Sequence, residues 1–144
     1  MSQMSDQARP LPTPTAHPLM AGKRGLIMGV ANDRSIAWGI AKAVADQGAE
    51  LAFTFQGEAL EKRVRPLADS LGARLVMSCD VADEASVEQV FAKIQGGWGK
   101  LDFLVHAIAY SDKDELTGQY LATTRANFLR TLASRAALAT PITL

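Results

Sequence analysis

Residues 26–55 read LIMGVANDRSIAWGIAKAVADQGAELAFTF, and this run decides the fold. It opens on a short apolar segment, Leu26-Ile27-Met28, and turns at Gly29. Ile36, Ile40 and Val44 then fall four apart, with Ala37 and Ala41 beside them. That spacing predicts a helix with one apolar face. Gly48 ends it, as glycine commonly does, and Leu51-Ala52-Phe53-Thr54-Phe55 follows as a second strand. Strands joined by a helix run parallel, with a right-handed crossover.

The alternation continues downstream. Leu60, Val64, Leu67 and Leu71 form a second helical stripe, closed by Gly72. Pro66 lies inside it; because proline in a helix interior costs ~3 kcal/mol, a kink or break near Arg65 is predicted. Leu75-Val76-Met77 is a third strand. Asp83 suits the cap of a third helix, whose stripe is Val87, Val90, Phe91, Ile94 and Trp98 and which Gly96, Gly97 and Gly99 end. Leu101-Asp102-Phe103-Leu104-Val105 is a fourth strand. Apolar strands covered on both faces predict an α/β, Rossmann-like doubly wound parallel sheet, truncated after about four strands.

Composition narrows the function classes. A chain of 144 residues is one domain, and 48% hydrophobic residues supply a core. Lys+Arg and Asp+Glu number 15 each, so the net charge is zero. A main partner that is nucleic acid would favour a basic excess. The single cysteine, Cys79, excludes a disulfide framework within the chain and a cysteine-rich metal site; no metal is expected. No apolar run approaches the roughly 20 residues that span a bilayer, and the N-terminus lacks the pattern of a signal peptide. The expectation is cytoplasmic residence without membrane contact. Residues 1–20 hold Pro10, Pro12, Pro14 and Pro18, four of the six prolines, and read as an extended, disordered tail.

Open parallel sheets bind ligands beyond the carboxyl ends of their strands. Gly29 follows the first strand, Gln56 the second, Asp80-Val81 the third and His106-Ala107-Ile108-Ala109 the fourth. A pyrophosphate needs close backbone approach and free N–H groups at a helix N-terminus. Gly29 permits that approach, and Ser35 offers a hydroxyl and an N–H where a third glycine often stands. The same residues equally describe a tight turn and a helix cap. Gln56 can bond a ribose hydroxyl or an adenine nitrogen, or simply be solvated. With no basic residue beside it for a 2′-phosphate, NADH is preferred to NADPH. Asp80 can accept from an adenine amino group while Val81 covers the ring, or Asp80 caps a turn. Cys79 reads as a small core residue rather than a reactive thiol. His106 reads as structural rather than as a base, and Trp38 and Trp98 as packing residues.

Residues 21–132 resemble the bacterial enoyl-acyl carrier protein reductases, the divergent branch of the short-chain dehydrogenases. The resemblance is carried by GVANDRSIAWGIA (29–41), GAELAFTFQ (48–56), CDV (79–81), LDFLVHAIAYSDKDEL (101–116) and NFL (127–129). It implies that Gly29, Ser35 and Ile36 hold the pyrophosphate side of NADH and that Gln56 lies by the adenosine. It further implies that Asp80 and Val81 hold the adenine, that Ile108 lines the cofactor cleft, and that Ala109, Tyr110 and Ser111 border the acyl substrate. The implied reaction is hydride transfer from NADH to the β-carbon of a trans-2-enoyl thioester on acyl carrier protein, in a homotetramer. The family's catalytic Tyr-x6-Lys has no counterpart here. Thr117 and Asn127 stand seven positions after Tyr110 and Tyr120, so no catalytic residue is assigned. Residues 133–144 depart from the family pattern, and the expectation is an atypical tail produced by truncation or a shifted frame near Ala133. A strand order of 3-2-1-4 would leave the fourth strand on an open edge, prone to pairing. The alternative function is a non-catalytic module that binds NAD(H) or a related nucleotide.

Overall fold

The structure is a computed structural model that describes residues 18–136. The tail expected over residues 1–20 therefore lies outside the described residues up to residue 17, as do residues 137–144. Its last three residues, Pro18 to Met20, enter a turn against the end of the first helix: the Met20 N–H donates to the Gln47 carbonyl at 2.9 Å.

Strands β1 (Arg24–Met28), β2 (Glu50–Phe55), β3 (Leu75–Ser78) and β4 (Phe103–His106) alternate with helices α1 (Ile36–Asp46), α2 (Glu58–Ser70) and α3 (Glu84–Trp98). Two 3-10 turns, Lys113–Glu115 and Tyr120–Ala122, lead into α4 (Arg125–Ala136), so the atypical tail expected from Ala133 starts as the last turn of a helix. Every strand pair is parallel and the sheet order is β3-β2-β1-β4, the doubly wound arrangement expected.

Side chains alternate across a strand, and that period sorts the core into two layers. Ile27, Leu51, Phe53 and Phe55 meet Ala37, Trp38 and Ala41 of α1 and Val64 and Ala68 of α2 on one face. Leu26, Met28, Ala52 and Met77 meet Val87, Val90, Phe91 and Ile94 of α3 on the other. The α3 stripe is the one expected, and the Asp83 carboxylate caps it by accepting from the Ala85 N–H at 3.1 Å.

Four expectations need correction. Ile36 is 79% exposed and Ile40 is also exposed, while Ala37, Trp38 and Ala41 are buried. One residue is about 100° of helix, and α1 is turned by that much because burying the Trp38 indole removes more apolar surface than burying an isoleucine. Helix α2 runs without a break through Pro66. Pro66 and Lys62 both face solvent, so water can satisfy the carbonyl that proline leaves without its N–H. Helix α3 continues through Gly96 and Gly97 and stops only at Gly99, in the left-handed conformation. Finally, β4 begins at Phe103 rather than Leu101 and includes His106. The Asp102 carboxylate takes the Arg24 N–H at 2.8 Å, so a side chain stands in for a ladder carbonyl there.

That contact sets an acid response. The Arg24 N–H, and secondarily the Lys100 ammonium, hold the Asp102 carboxyl below its ordinary range. A depressed carboxylate contributes stability above its unfolded pKa and loses it as pH falls through the folded value. The melting temperature is therefore expected to drop on acidification below about pH 4, and less steeply in Asp102→Asn. Equal acid limbs in thermal melts of the two proteins would contradict this.

Candidate functional site

The carboxyl ends of all four strands open into one cleft of about 330 Å³, within the size range of small-molecule sites. Gly29, Val30 and Ala31 enter it from β1, and Thr54, Phe55 and Gln56 from β2. Leu60 reaches it from α2, Cys79 and Val81 from β3, and Ala107, Ile108 and Ala109 from β4.

Gly29 is what lets two strand ends meet there. Its φ is +109°, and an added Cβ would overlap the Ala107 carbonyl oxygen and lie 2.6 Å from the carbonyl carbon. Ala107 cannot withdraw freely, because its N–H donates to the Met28 carbonyl at 2.9 Å, extending the β1–β4 ladder.

The rim presents unused donors. Ser35 stands at the N-cap of α1, yet its hydroxyl donates backward to the Asn32 carbonyl at 2.7 Å and does not cap the helix. The first-turn amides of Ile36 and Ala37 are thus left without a capping side chain, and no acidic residue occupies that turn. Such a helix start favours an anion. In the turn after β3, the Asp80 carboxylate accepts from the Ala82 N–H at 2.9 Å. The Asp83 N–H donates to the Asp80 carbonyl at 3.1 Å. The Val81 N–H has no acceptor among the described residues.

No lining side chain carries a formal charge at neutral pH. Burial pushes the Cys79 thiol up; the Ser86 hydroxyl works against that shift, and Asp80 and Asp83 add to it. The thiol is buried and stays neutral, as the core reading requires. One cation packs against the end of β2. The Arg65 guanidinium lies 5.5 Å from the centroid of the Phe55 ring, and its Nε is held by Glu61 at 2.7 Å.

Of the residues singled out in the sequence, Gly29, Gln56, Val81, Ile108 and Ala109 line the cleft. Ser35 and Asp80 lie in the adjoining turns and Ile36 opens α1; none of the three lines the cleft. Tyr110 and Ser111 turn toward α4. The Tyr110 N–H donates to Ser134 Oγ at 3.0 Å, and Ser111 Oγ meets Asn127 Nδ2 at 3.2 Å and Thr131 Oγ1 at 3.0 Å. His106 points a buried Nε2 at no partner among the described residues. Thr54 and Leu60 were missed as cleft residues. The sequence signal for Thr54 is a lone hydroxyl residue inside the apolar run Leu51–Phe55, and the structure buries it.

Comparison with known proteins agrees with this architecture. The family described as enoyl-(acyl carrier protein) reductase matches residues 29–138. The enoyl-[acyl-carrier-protein] reductase [NADH] 1 of Rhizobium meliloti (strain 1021) is 65% identical over 114 residues, 79% of this chain and 42% of that protein. The chain thus spans less than half the length of this relative. A crystal structure of the Anaplasma phagocytophilum reductase in complex with NAD is similar with a TM-score of 0.79 and 52% identity, covering 84% of this chain and 48% of that one. FabI from Candidatus Liberibacter asiaticus gives a TM-score of 0.80 and 48% identity, over 83% and 48% of the two chains. The chain belongs to the enoyl-(acyl carrier protein) reductase family.

Proposed function

We propose that the cleft receives NADH and that the chain is the cofactor-holding part of an oxidoreductase that reduces trans-2-enoyl thioesters on acyl carrier protein. The observation that carries this reading is the convergence of Gly29, Gln56, Val81 and Ile108, from the ends of four different strands, on one cleft. The residues fit the cofactor. Gly29 lets the exits of β1 and β4 meet at the cleft wall, the α1 start has no capping side chain and no acid, and the Val81 N–H has no acceptor among the described residues. A relative of this fold was crystallised with NAD.

When bound, NADH supplies a hydride. In this reading Ser35 and the Ile36 N–H hold its pyrophosphate, helped by the α1 dipole. Gln56 bonds the adenosine ribose, Asp80 and Val81 take the adenine edge, and Ile108 packs along the cleft. By the family resemblance Ala109, Tyr110 and Ser111 border the acyl chain; of the three, Ala109 lines the cleft, while the Tyr110 amide and the Ser111 hydroxyl are engaged by α4. No basic residue stands directly beside Gln56 in the sequence to meet a 2′-phosphate. No residue of the chain is assigned to protonate the enolate, since neither Tyr110 nor Tyr120 has a lysine seven positions on. Cytoplasmic residence and a homotetramer belong to the same reading and rest on the family resemblance.

The test is a thermal melt with and without cofactor. A ligand at one hundred times its Kd adds about 2.7 kcal/mol, so saturating NADH is expected to raise the melting temperature by several degrees, and NADPH by less. An unmoved transition at millimolar NADH would refute the site.

A further inference from the structure

We infer that Ser86 is a positioning residue of this site: its hydroxyl fixes the turn through which Asp80 and Val81 face the cofactor, without itself reaching the cleft. The inference rests on the NADH reading above.

The turn from β3 into α3 has only residues 79–83 in which to reverse direction. Its amides account for how it is held. The Cys79 N–H donates to the Phe55 carbonyl at 2.8 Å, which prolongs the β2–β3 ladder by one bond. The Ala82 N–H goes to the Asp80 carboxylate, and the Asp83 N–H to the Asp80 carbonyl. The Asp80 N–H is partly buried and finds its acceptor in Ser86 Oγ, at 2.9 Å.

Ser86 is the third residue of α3, counted from the Asp83 cap. In a capping box that position reaches back to the amide of the cap residue itself. Here the Asp83 amide is already taken by the Asp80 carbonyl, and the side chain reaches three residues further back.

The consequence is geometric. Both backbone polar groups of Asp80 are now tied, its N–H to Ser86 and its C=O to the Asp83 amide. A trans peptide points its N–H opposite to its C=O. Holding the Asp80 carbonyl toward α3 therefore aims the Val81 N–H away from α3, and Val81 lines the cleft. The Asp80 carboxylate meanwhile accepts from the Ala82 N–H through Oδ1. Without the Ser86 hydroxyl, the Asp80 amide is left partly buried with no acceptor, and the Cys79–Asp80 peptide, which leads directly into the peptide that carries the Val81 donor, loses its side-chain anchor.

Calorimetric titration of the full chain with NADH, and separately with AMP as a probe of the adenosine end, tests this. Ser86→Ala is expected to melt cooperatively and to bind both ligands roughly fivefold more weakly, the worth of one hydrogen bond. Ser86→Thr keeps the hydroxyl and is expected to bind both as the parent does. Ser86→Ala binding both ligands as tightly as the parent overturns the inference while leaving the cofactor site standing. So does Ser86→Thr binding as weakly as Ser86→Ala. A Ser86→Ala chain without a cooperative melt would make Ser86 a folding residue and also overturn it. A parent chain that binds neither NADH nor AMP overturns the cofactor reading and the inference together.

Discussion

Gly29→Ala is expected to abolish NADH-induced stabilisation and to lower the intrinsic stability of the chain by about 3 kcal/mol or more. Two independent costs add. The backbone at Gly29 has φ +109°, which residues with a Cβ rarely adopt. The new methyl would also overlap the carbonyl of Ala107, a group of main chain that cannot rotate aside. Relief requires the exits of β1 and β4 to part, and those exits form one wall of the cleft. Gly39→Ala is the matched control. An added Cβ there meets nothing within 4 Å, and an α-helix prefers alanine to glycine. Thermal melts of both variants with and without NADH make the comparison. A Gly29→Ala chain that melts like the parent and still responds to NADH would show that the close approach is dispensable.

Phe53→Ala is expected to cost roughly 3–5 kcal/mol, the range for deleting a fully buried aromatic ring. Phe53 is completely enclosed in β2, paired with Ile27 on one side and Val76 on the other. Its ring lies 6.4 Å from that of Trp38 between centroids, tilted by 44°, so truncation also removes the surface against which α1 is oriented. Single domains hold only about 5–15 kcal/mol in total, and the urea midpoint should fall by a large fraction of its value. A loss under about 1 kcal/mol would mean that the layer between sheet and α1 can collapse onto the void.

How far the molecule was legible beforehand depends on which physical effect governs each residue. Strand order and the α/β architecture could be read because apolar runs separated by helix-length segments admit few other solutions. The α3 stripe could be read because one helix covers one face and Asp83 marks its start. The α1 stripe could not. Spacing alone treats isoleucine and tryptophan as equal votes, whereas packing weighs them by area, and Trp38 turned Ile36 and Ile40 outward. Pro66 misled for the opposite reason, since its penalty depends on whether the freed carbonyl reaches water, which is a tertiary fact. At the site, Gly29, Gln56, Val81 and Ile108 were visible because the position after a strand is itself the signal. Ser86 and Leu60 were hidden because they act from helices, across turns whose shape periodicity does not describe. Ser111 was visible as a residue, but its hydroxyl is engaged by Asn127 and Thr131, and nothing local in the sequence foretold that.

The opposite ends of the same strands carry the charges that the cleft lacks. Arg24 bonds Glu50 at 2.9 Å and the Trp98 carbonyl at 2.7 Å, and Trp98 Nε1 donates to Glu50 at 3.1 Å, all where β1 and β2 begin and α3 stops. Lys100 and Asp102 pair beside them at 3.1 Å. Changes at sites well separated in space add nearly independently. The ionic base can therefore be retuned for heat or acid tolerance as one engineering handle, while affinity is adjusted through the neutral mouth as another.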